Sequence, residues 1–408
     1  MELPTPKRDQ MLQQLLIALA FALPWAKKAL PTLIGVVLVF ALFRFFKGKK
    51  ASMPPRPWPS IGLFSLFMLL VLGITYSEHP DVGLNEIGIK LSFLIFPLLA
   101  LITPNLRKPD LTWIHQAFVA GCFLFIGITV SHATWVVLQH PDWYYFTYNN
   151  LSWYIHPTYA ATYQSVALFI LMHDGWKKKF ILGRMWLHVF AIVLILGFVA
   201  LLSSKAGYLC ALVVVIYSAY WAYKQGVRLG HIVIRSGILI ALFVSTIMVL
   251  PTTSDRVKEA VEEIGVKENT IVQVDSTSAA HTSSTSLRLI TWSASWKLLS
   301  ENPFGTGTGD TQARLTMHYE QQGEHYASSR QFNAHNQFLQ TGAEIGWFGL
   351  AALMVILCAL WASGREEPTA HLFVLLCALN FMFESFLEVQ AGIVFFSFWV
   401  LVYSRVER

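Results

Sequence analysis

Residues 186–223 read WLHVFAIVLILGFVALLSSKAGYLCALVVVIYSAYWAY, two apolar runs on either side of the short polar stretch Ser203-Ser204-Lys205. Each run is about 18 residues, enough for a helix to cross the roughly 30 Å hydrocarbon core of a bilayer. A helix that is apolar on nearly every face belongs in lipid or in the middle of a bundle. The stretch therefore reads as a transmembrane helical hairpin.

The same pattern recurs from end to end. Spans are expected at about 11–25, 29–46, 59–76, 84–103, 113–138, 157–173, 186–203, 206–223, 231–250, 337–362, 369–386 and 389–404. The expected fold class is all-α: a polytopic integral membrane protein of about twelve helices with one large loop, forming a single membrane domain over residues 1–408. Composition agrees, because 55% of the residues are hydrophobic and 13% charged, where soluble domains carry roughly 25% charged residues. The first span follows Lys7 and Arg8 and contains Pro24, but no small-residue cleavage site comes after it, so a retained helix is expected rather than a signal peptide.

The net charge of +6 is informative through its distribution. With the N-terminus inside, the inside loops hold Arg44, Lys47, Lys49, Lys50, Arg56, Arg107, Lys108, Lys177, Lys178, Lys179, Arg184, Lys224, Arg228, Arg365, Arg405 and Arg408, while the short outside loops hold little beyond Lys27 and Lys28. This is the positive-inside pattern, and it predicts both termini in the cytoplasm of a bacterial inner-membrane protein. The cations mark topology, and nucleic acid is not an expected partner. Cys122, Cys210, Cys358 and Cys377 lie inside apolar runs without metal-ligand spacing, so neither a disulfide framework nor a metal site is expected.

The interruption at 251–336 then faces the periplasm, where no ATP is available. It passes through DRVKEAVEEIGVKE and STSAAHTSSTS, and Ser286 is a good N-cap for a helix over SLRLITWSASWKLLSEN that stops at Asn302-Pro303. This helix is expected to lie against the membrane surface with Trp292 and Trp296 at the interface. A second outside loop, 140–157, is dense in aromatic residues.

Three segments carry a recognisable chemistry. His335-Asn336, nine residues, Gly346, two residues and Gly349 make the pattern H-[NSQ]-x9-G-x-x-G; Arg288-x3-Trp292 is followed by Asn302-Pro303-Phe304-Gly305-Thr306-Gly307; and Ser203-Ser204-Lys205-Ala206-Gly207 ends one arm of the hairpin. Together they resemble the O-antigen ligase and polymerase family, whose members are polytopic and carry this histidine at the C-terminal end of a large periplasmic loop. In the third segment the family more often has Ser-Arg-Gly. Lys205 keeps the charge of that arginine but not its bidentate fork. The Gly-rich PFGTGTGD run lacks the Gly-Lys-Ser/Thr ending of a nucleotide-binding loop and is expected to be a turn.

The resemblance implies an undecaprenyl-diphosphate-linked glycan as donor, with its sugar chain passed to an acceptor hydroxyl without metal or cofactor and with inversion. Such a reaction needs cations on the diphosphate and a base for the acceptor proton. His335 is the expected base, with proton loss to a donor phosphate oxygen as the other route; Arg288 is the expected catalytic cation. Arg288, Lys205, Arg314 and Arg330 are the candidate diphosphate-binding residues, and His156, Tyr159, Glu384 and Glu388 candidate cavity-lining ones. Lys90, Glu86, Glu384 and Glu388 lie within or beside spans, where ionisable groups face the bundle interior or water. Glu384 and Glu388, one helical turn apart on a helix end that points outward, are expected to orient a cation.

The acceptor is not written in any residue. O-antigen ligation to lipid A-core, a glycolipid, is favoured because one loop dominates; polymerisation on the lipid carrier and oligosaccharide transfer to protein Ser/Thr use the same donor. The rival class is a secondary transporter or lipid-linked glycan flippase. Against it stand the lack of a repeat between halves and the grouping of cations outside rather than at mid-membrane.

Overall fold

The computed structural model describes residues 7–48, 51–249, 284–364 and 367–407. The stretches DRVKEAVEEIGVKE and STSAAHTSSTS up to Ser283, together with Lys49, Lys50, Arg365 and Arg408, lie outside the described residues.

All elements among the described residues are helical, apart from one isolated bridge between Leu106 and Val406. The chain runs through α1 (Lys7–Ala22), α2 (Leu30–Phe46), α3 (Pro57–Ile74), α4 (Pro80–Ile89), α5 (Ser92–Ile102), α6 (Lys108–Gln139), the short α7 (Tyr148–Leu151) and α8 (Pro157–Trp176). It continues through α9 (Met185–Leu201), α10 (Lys205–Lys224), α11 (Leu229–Val249), α12 (Ser284–Glu301), α13 (Thr311–Gln321), α14 (His325–Ser329), α15 (Gln337–Ser363), α16 (Pro368–Phe383) and α17 (Gln390–Arg405).

Five described helices, α3, α6, α10, α11 and α15, are long and apolar enough to span a membrane, and α4 with α5 makes a sixth if the bent pair counts as one crossing. Residues 10–22 of α1, α2, α9 and α16 are apolar but shorter. Outward-facing apolar side chains such as Val233, Ile234, Ile238 and Met248 on α11 are exposed, as expected of a membrane protein whose solvent is lipid. α8 and α17 instead are buried on almost every side. They form the centre, with α10, α16 and α9 against α8, and α5 and α3 against α17. The broadest helix pairing is α3 with α15.

Three expectations are corrected here. The apolar stretch 84–103 is not one helix: the chain breaks at Lys90 and Leu91, and α4 and α5 meet at 43°. The break coincides with Lys90, whose ammonium turns into the bundle to meet Glu344 and Glu388. Glu384 and Glu388 do not share a helix turn either, because Glu384 has extended backbone (φ −149°, ψ 143°) where α16 ends, and the chain stays irregular up to Val389. The helix expected from Ser286 already includes Ser284 and stops at Glu301, before Asn302-Pro303.

One end of the bundle gathers the basic loops. Arg44 at the end of α2 donates to the Ile102 carbonyl, Arg405 to the carbonyls of Thr103 and Ser52, and Arg56 to that of Val406 at 3.3 Å. The carbonyls of Ile102, Thr103 and Val406 stand at helix C-termini, where no intrahelical donor reaches them, and that of Ser52 lies in the α2–α3 connection. Residues 75–79, 140–156, 203–204, 302–336 and 384–389 lie at the other end, where Lys27 reaches the Tyr154 carbonyl.

Candidate functional site

α15 begins at Asn336, whose side-chain oxygen accepts from the Leu339 N–H at 3.1 Å and so caps the helix. His335 immediately before it has φ +45°, left-handed backbone that a non-glycine residue rarely adopts. Local bonds hold it there: its N–H donates to the Asn333 side chain at 3.0 Å, and its carbonyl accepts from the Trp292 indole at 3.3 Å. Trp292 therefore braces the histidine from α12. Trp296 is exposed and meets Trp347 edge-on. The Phe332 ring lies against the imidazole, with centroids 5.4 Å apart.

The imidazole Nδ1 lies 3.6 Å from a carboxylate oxygen of Glu384, an ion-pair rather than a hydrogen-bond distance. Both side chains keep partial exposure, 27% for His335 and 17% for Glu384. Burial pushes the Glu384 carboxyl up, but His335, His156 and Arg288 outweigh it and hold the group below its ordinary value. Glu384 is therefore a carboxylate at neutral pH. His156, the N-cap of α8, is pulled below its ordinary value by burial, with His335 and Arg288 reinforcing the shift against the pull of Glu384. Its ring neighbours are Tyr148 and Tyr159, and Tyr159 in turn lies against Phe386.

Arg288 reaches the same place from α12. Its Nε donates to the carbonyl of Phe383, the last residue of α16, at 3.3 Å, and Asn336 donates to the neighbouring Met382 carbonyl, also at 3.3 Å. These two residues cap α16 just where the chain turns to present Glu384. Lys205 opens α10, directly after the N-cap Ser204, and the Ser204 hydroxyl lies 3.3 Å from that of Thr158 in the first turn of α8. The start of α10 thus adjoins the start of α8 that carries His156.

Arg314 and Arg330 are placed differently. Arg314 pairs with Glu78 at 2.7 Å, at the α3–α4 connection, and the exposed Arg330 guanidinium lies 5.9 Å over the Tyr326 ring. Glu388 is also separated from Glu384 in partnership: it meets Lys90 at 2.9 Å and accepts from Gln337 at 3.2 Å. Lys90 makes its other contact with Glu344 of α15 at 2.8 Å, both side chains being 3% exposed. The cluster of Lys90, Glu344, Glu388 and Gln337 joins the α4–α5 break, α15 and the 384–389 segment underneath the His335 group.

The PFGTGTGD run is the turn expected of it. Thr306 and Gly307 N–H groups donate to the carbonyls of Ala343 and Glu344, and the Trp347 N–H donates back to the Pro303 carbonyl at 3.0 Å. The turn thereby pairs with a break in α15 at Ile345-Gly346, where Gly346 has φ +68° and an added Cβ would meet the Pro303 oxygen at 2.3 Å. This is the physical reason for the first glycine of the motif. Asp310 ends the turn and accepts from the Glu78 and His79 N–H groups and the Ser77 hydroxyl, at 2.7, 2.9 and 2.8 Å.

Sequence reading missed Glu344, Gln337 and Asp310. Glu344 was within reach of the rule that singled out Lys90, since it too is an ionisable residue inside an apolar span; the other two carry no local signal. Among the described residues no group of three or more His, Cys, Asp or Glu side chains is arranged to hold a metal. Among curated proteins none matches the chain. Residues 190–354 match the family model described as O-antigen ligase, a range that includes Lys205, Arg288, His335, Gly346 and Gly349.

Proposed function

We propose that this membrane protein transfers a glycan from undecaprenyl diphosphate to an acceptor hydroxyl on the periplasmic side of the bacterial inner membrane, as an O-antigen ligase acting on lipid A-core in lipopolysaccharide biosynthesis. The observation that carries the reading is the meeting of His335, from the family motif, with Glu384 and Arg288 at one end of the bundle. In this reading Glu384 fixes the imidazole through Nδ1 and stabilises the cation formed when the other ring nitrogen takes the acceptor proton. The acceptor oxygen attacks the anomeric carbon as the bond to the diphosphate breaks, which inverts the configuration. Arg288 and Lys205, beside the N-termini of α8, α10 and α15, stabilise the departing diphosphate. No step requires a metal.

Twelve crossings with both termini in the cytoplasm and residues 251–336 as the periplasmic loop belong to the same proposal, supported by the grouping of basic loops at the bundle end away from His335. The test is transfer of a labelled glycan from undecaprenyl diphosphate to purified lipid A-core in detergent with EDTA. Transfer by the wild type that is lost in His335→Ala supports the reading. Elongation on the carrier, or labelling of protein, moves the same chemistry to polymerase or oligosaccharyltransferase. Transport of substrate across liposomes without any transfer overturns it.

A further inference from the structure

The far end of α8 opens on a second cavity. A cleft of about 230 Å³ lies between α8, α9 and α11, lined by Met172, Trp176, Phe180, Val189, Ile192 and Arg235 among others. Twenty residues of α8 separate its Trp176 from the start of the helix beside His156, about 30 Å at 1.5 Å per residue. The cleft therefore belongs to the opposite end of the bundle and has no part in the His335 group.

Its walls are apolar and its mouth is cationic. Arg235 lies inside α11, a helix long and apolar enough to cross a membrane, and it is exposed on the outer face. Its guanidinium lies 5.0 Å over the Trp176 ring, and among the described residues no carboxylate pairs with it. A charge on the lipid-facing side of a spanning helix is costly unless it reaches a headgroup or a counter-ion. Lys178, Lys179 and Arg184 are exposed on the connection between Trp176 and Met185, both of which line the cleft. The carboxylate nearest in sequence, Asp174, faces His173 at 3.8 Å.

We propose that this cleft is a binding site for an anionic phospholipid. The phosphate sits against Arg235 and the cations of the α8–α9 connection, and an acyl chain lies in the apolar cleft between α9 and α11. An apolar slot with an arginine at its rim that no described carboxylate neutralises fits a lipid better than a soluble anion, which would leave the slot empty. Juxtamembrane cations that attract anionic lipid are each worth about 1 kcal/mol, or about fivefold.

The test is native mass spectrometry of the full-length protein after mixing with equal amounts of phosphatidylglycerol and phosphatidylcholine of identical acyl chains. Wild type is expected to retain phosphatidylglycerol selectively, and Arg235→Gln to lose that retention about fivefold with phosphatidylcholine unchanged. Val189→Trp, at an exposed position on the cleft wall, is expected to reduce retention by filling the slot while leaving every cation in place. Equal retention of the two lipids by wild type, or undiminished selectivity in Arg235→Gln, overturns the proposal.

Discussion

Lys90 Nζ lies 2.8 Å from Glu344 and 2.9 Å from Glu388, and so one buried ammonium joins three segments: the break between α4 and α5, the first half of α15, and the irregular stretch after α16. Of these, α15 follows directly on His335, and the stretch after α16 begins with Glu384. Removing the cation leaves two carboxylates unpaired in the interior. Lys90→Met is expected to lower stability by about 3–5 kcal/mol, read as a fall in thermal unfolding temperature in detergent. Glu344→Gln in the same chain is expected to restore part of the loss, because it removes one of the stranded charges.

His335→Ala is expected to reduce transfer by at least about 100-fold while the protein is still produced and inserted, because the residue is partly exposed at the mouth of α15 rather than packed in the core. Glu384→Gln keeps the shape but not the charge, and a smaller loss is expected. Transfer rates of the purified variants against wild type decide both; wild-type rates in His335→Ala would remove it as base.

Lys205→Arg is expected to be tolerated and Lys205→Ala to weaken use of the donor, seen as a raised KM for the lipid-linked glycan. Both keep the Ser204 cap of α10. Equal losses in the two variants would assign Lys205 to packing instead of phosphate contact.

Gly346→Ala is expected to destabilise the protein strongly, since an L-residue must hold φ +68° there and its Cβ would meet the Pro303 oxygen at 2.3 Å. The backbone strain alone is about 1–3 kcal/mol. Thermal unfolding measures it, and an unchanged transition would show that the turn and the α15 break are not locked together.

Asp310 supplies the pH dependence. Burial pushes its carboxyl up, but the Glu78 N–H, the His79 ring, the Ser77 hydroxyl and the His79 N–H outweigh that and hold it below its ordinary value. A depressed carboxyl contributes stability above its unfolded pKa and loses it as pH falls through the folded one. The gap in unfolding temperature between wild type and Asp310→Asn is therefore expected to hold from neutral pH down to about 5 and to close below about 4. A gap that closed already near neutrality would assign the effect to another group.

The apolar helices were legible because hydropathy is a local property of the chain, and α10, α11 and α15 fall close to their expected limits. The place of His335 just before α15 was legible because the motif spacing ties it to the start of an apolar helix. Lys90 stands 254 residues from Glu344, and no local pattern announces that pairing or the helix break it accompanies. The separate partnerships of Glu384 and Glu388 were equally hidden, since four residues read as one helical turn unless the end of α16 is known.

His156, Ser204 and Asn336 each cap a helix whose first turn opens toward the His335 group. The aligned peptides of α8, α10 and α15 place fractional positive charge at those ends. In the proposed reaction, part of the attraction for a departing diphosphate would thus be built into the main chain, where neither protonation nor side-chain substitution can switch it off. Activity lost on removing a single cation should therefore leave a residual affinity for the anionic donor, set by the bundle itself.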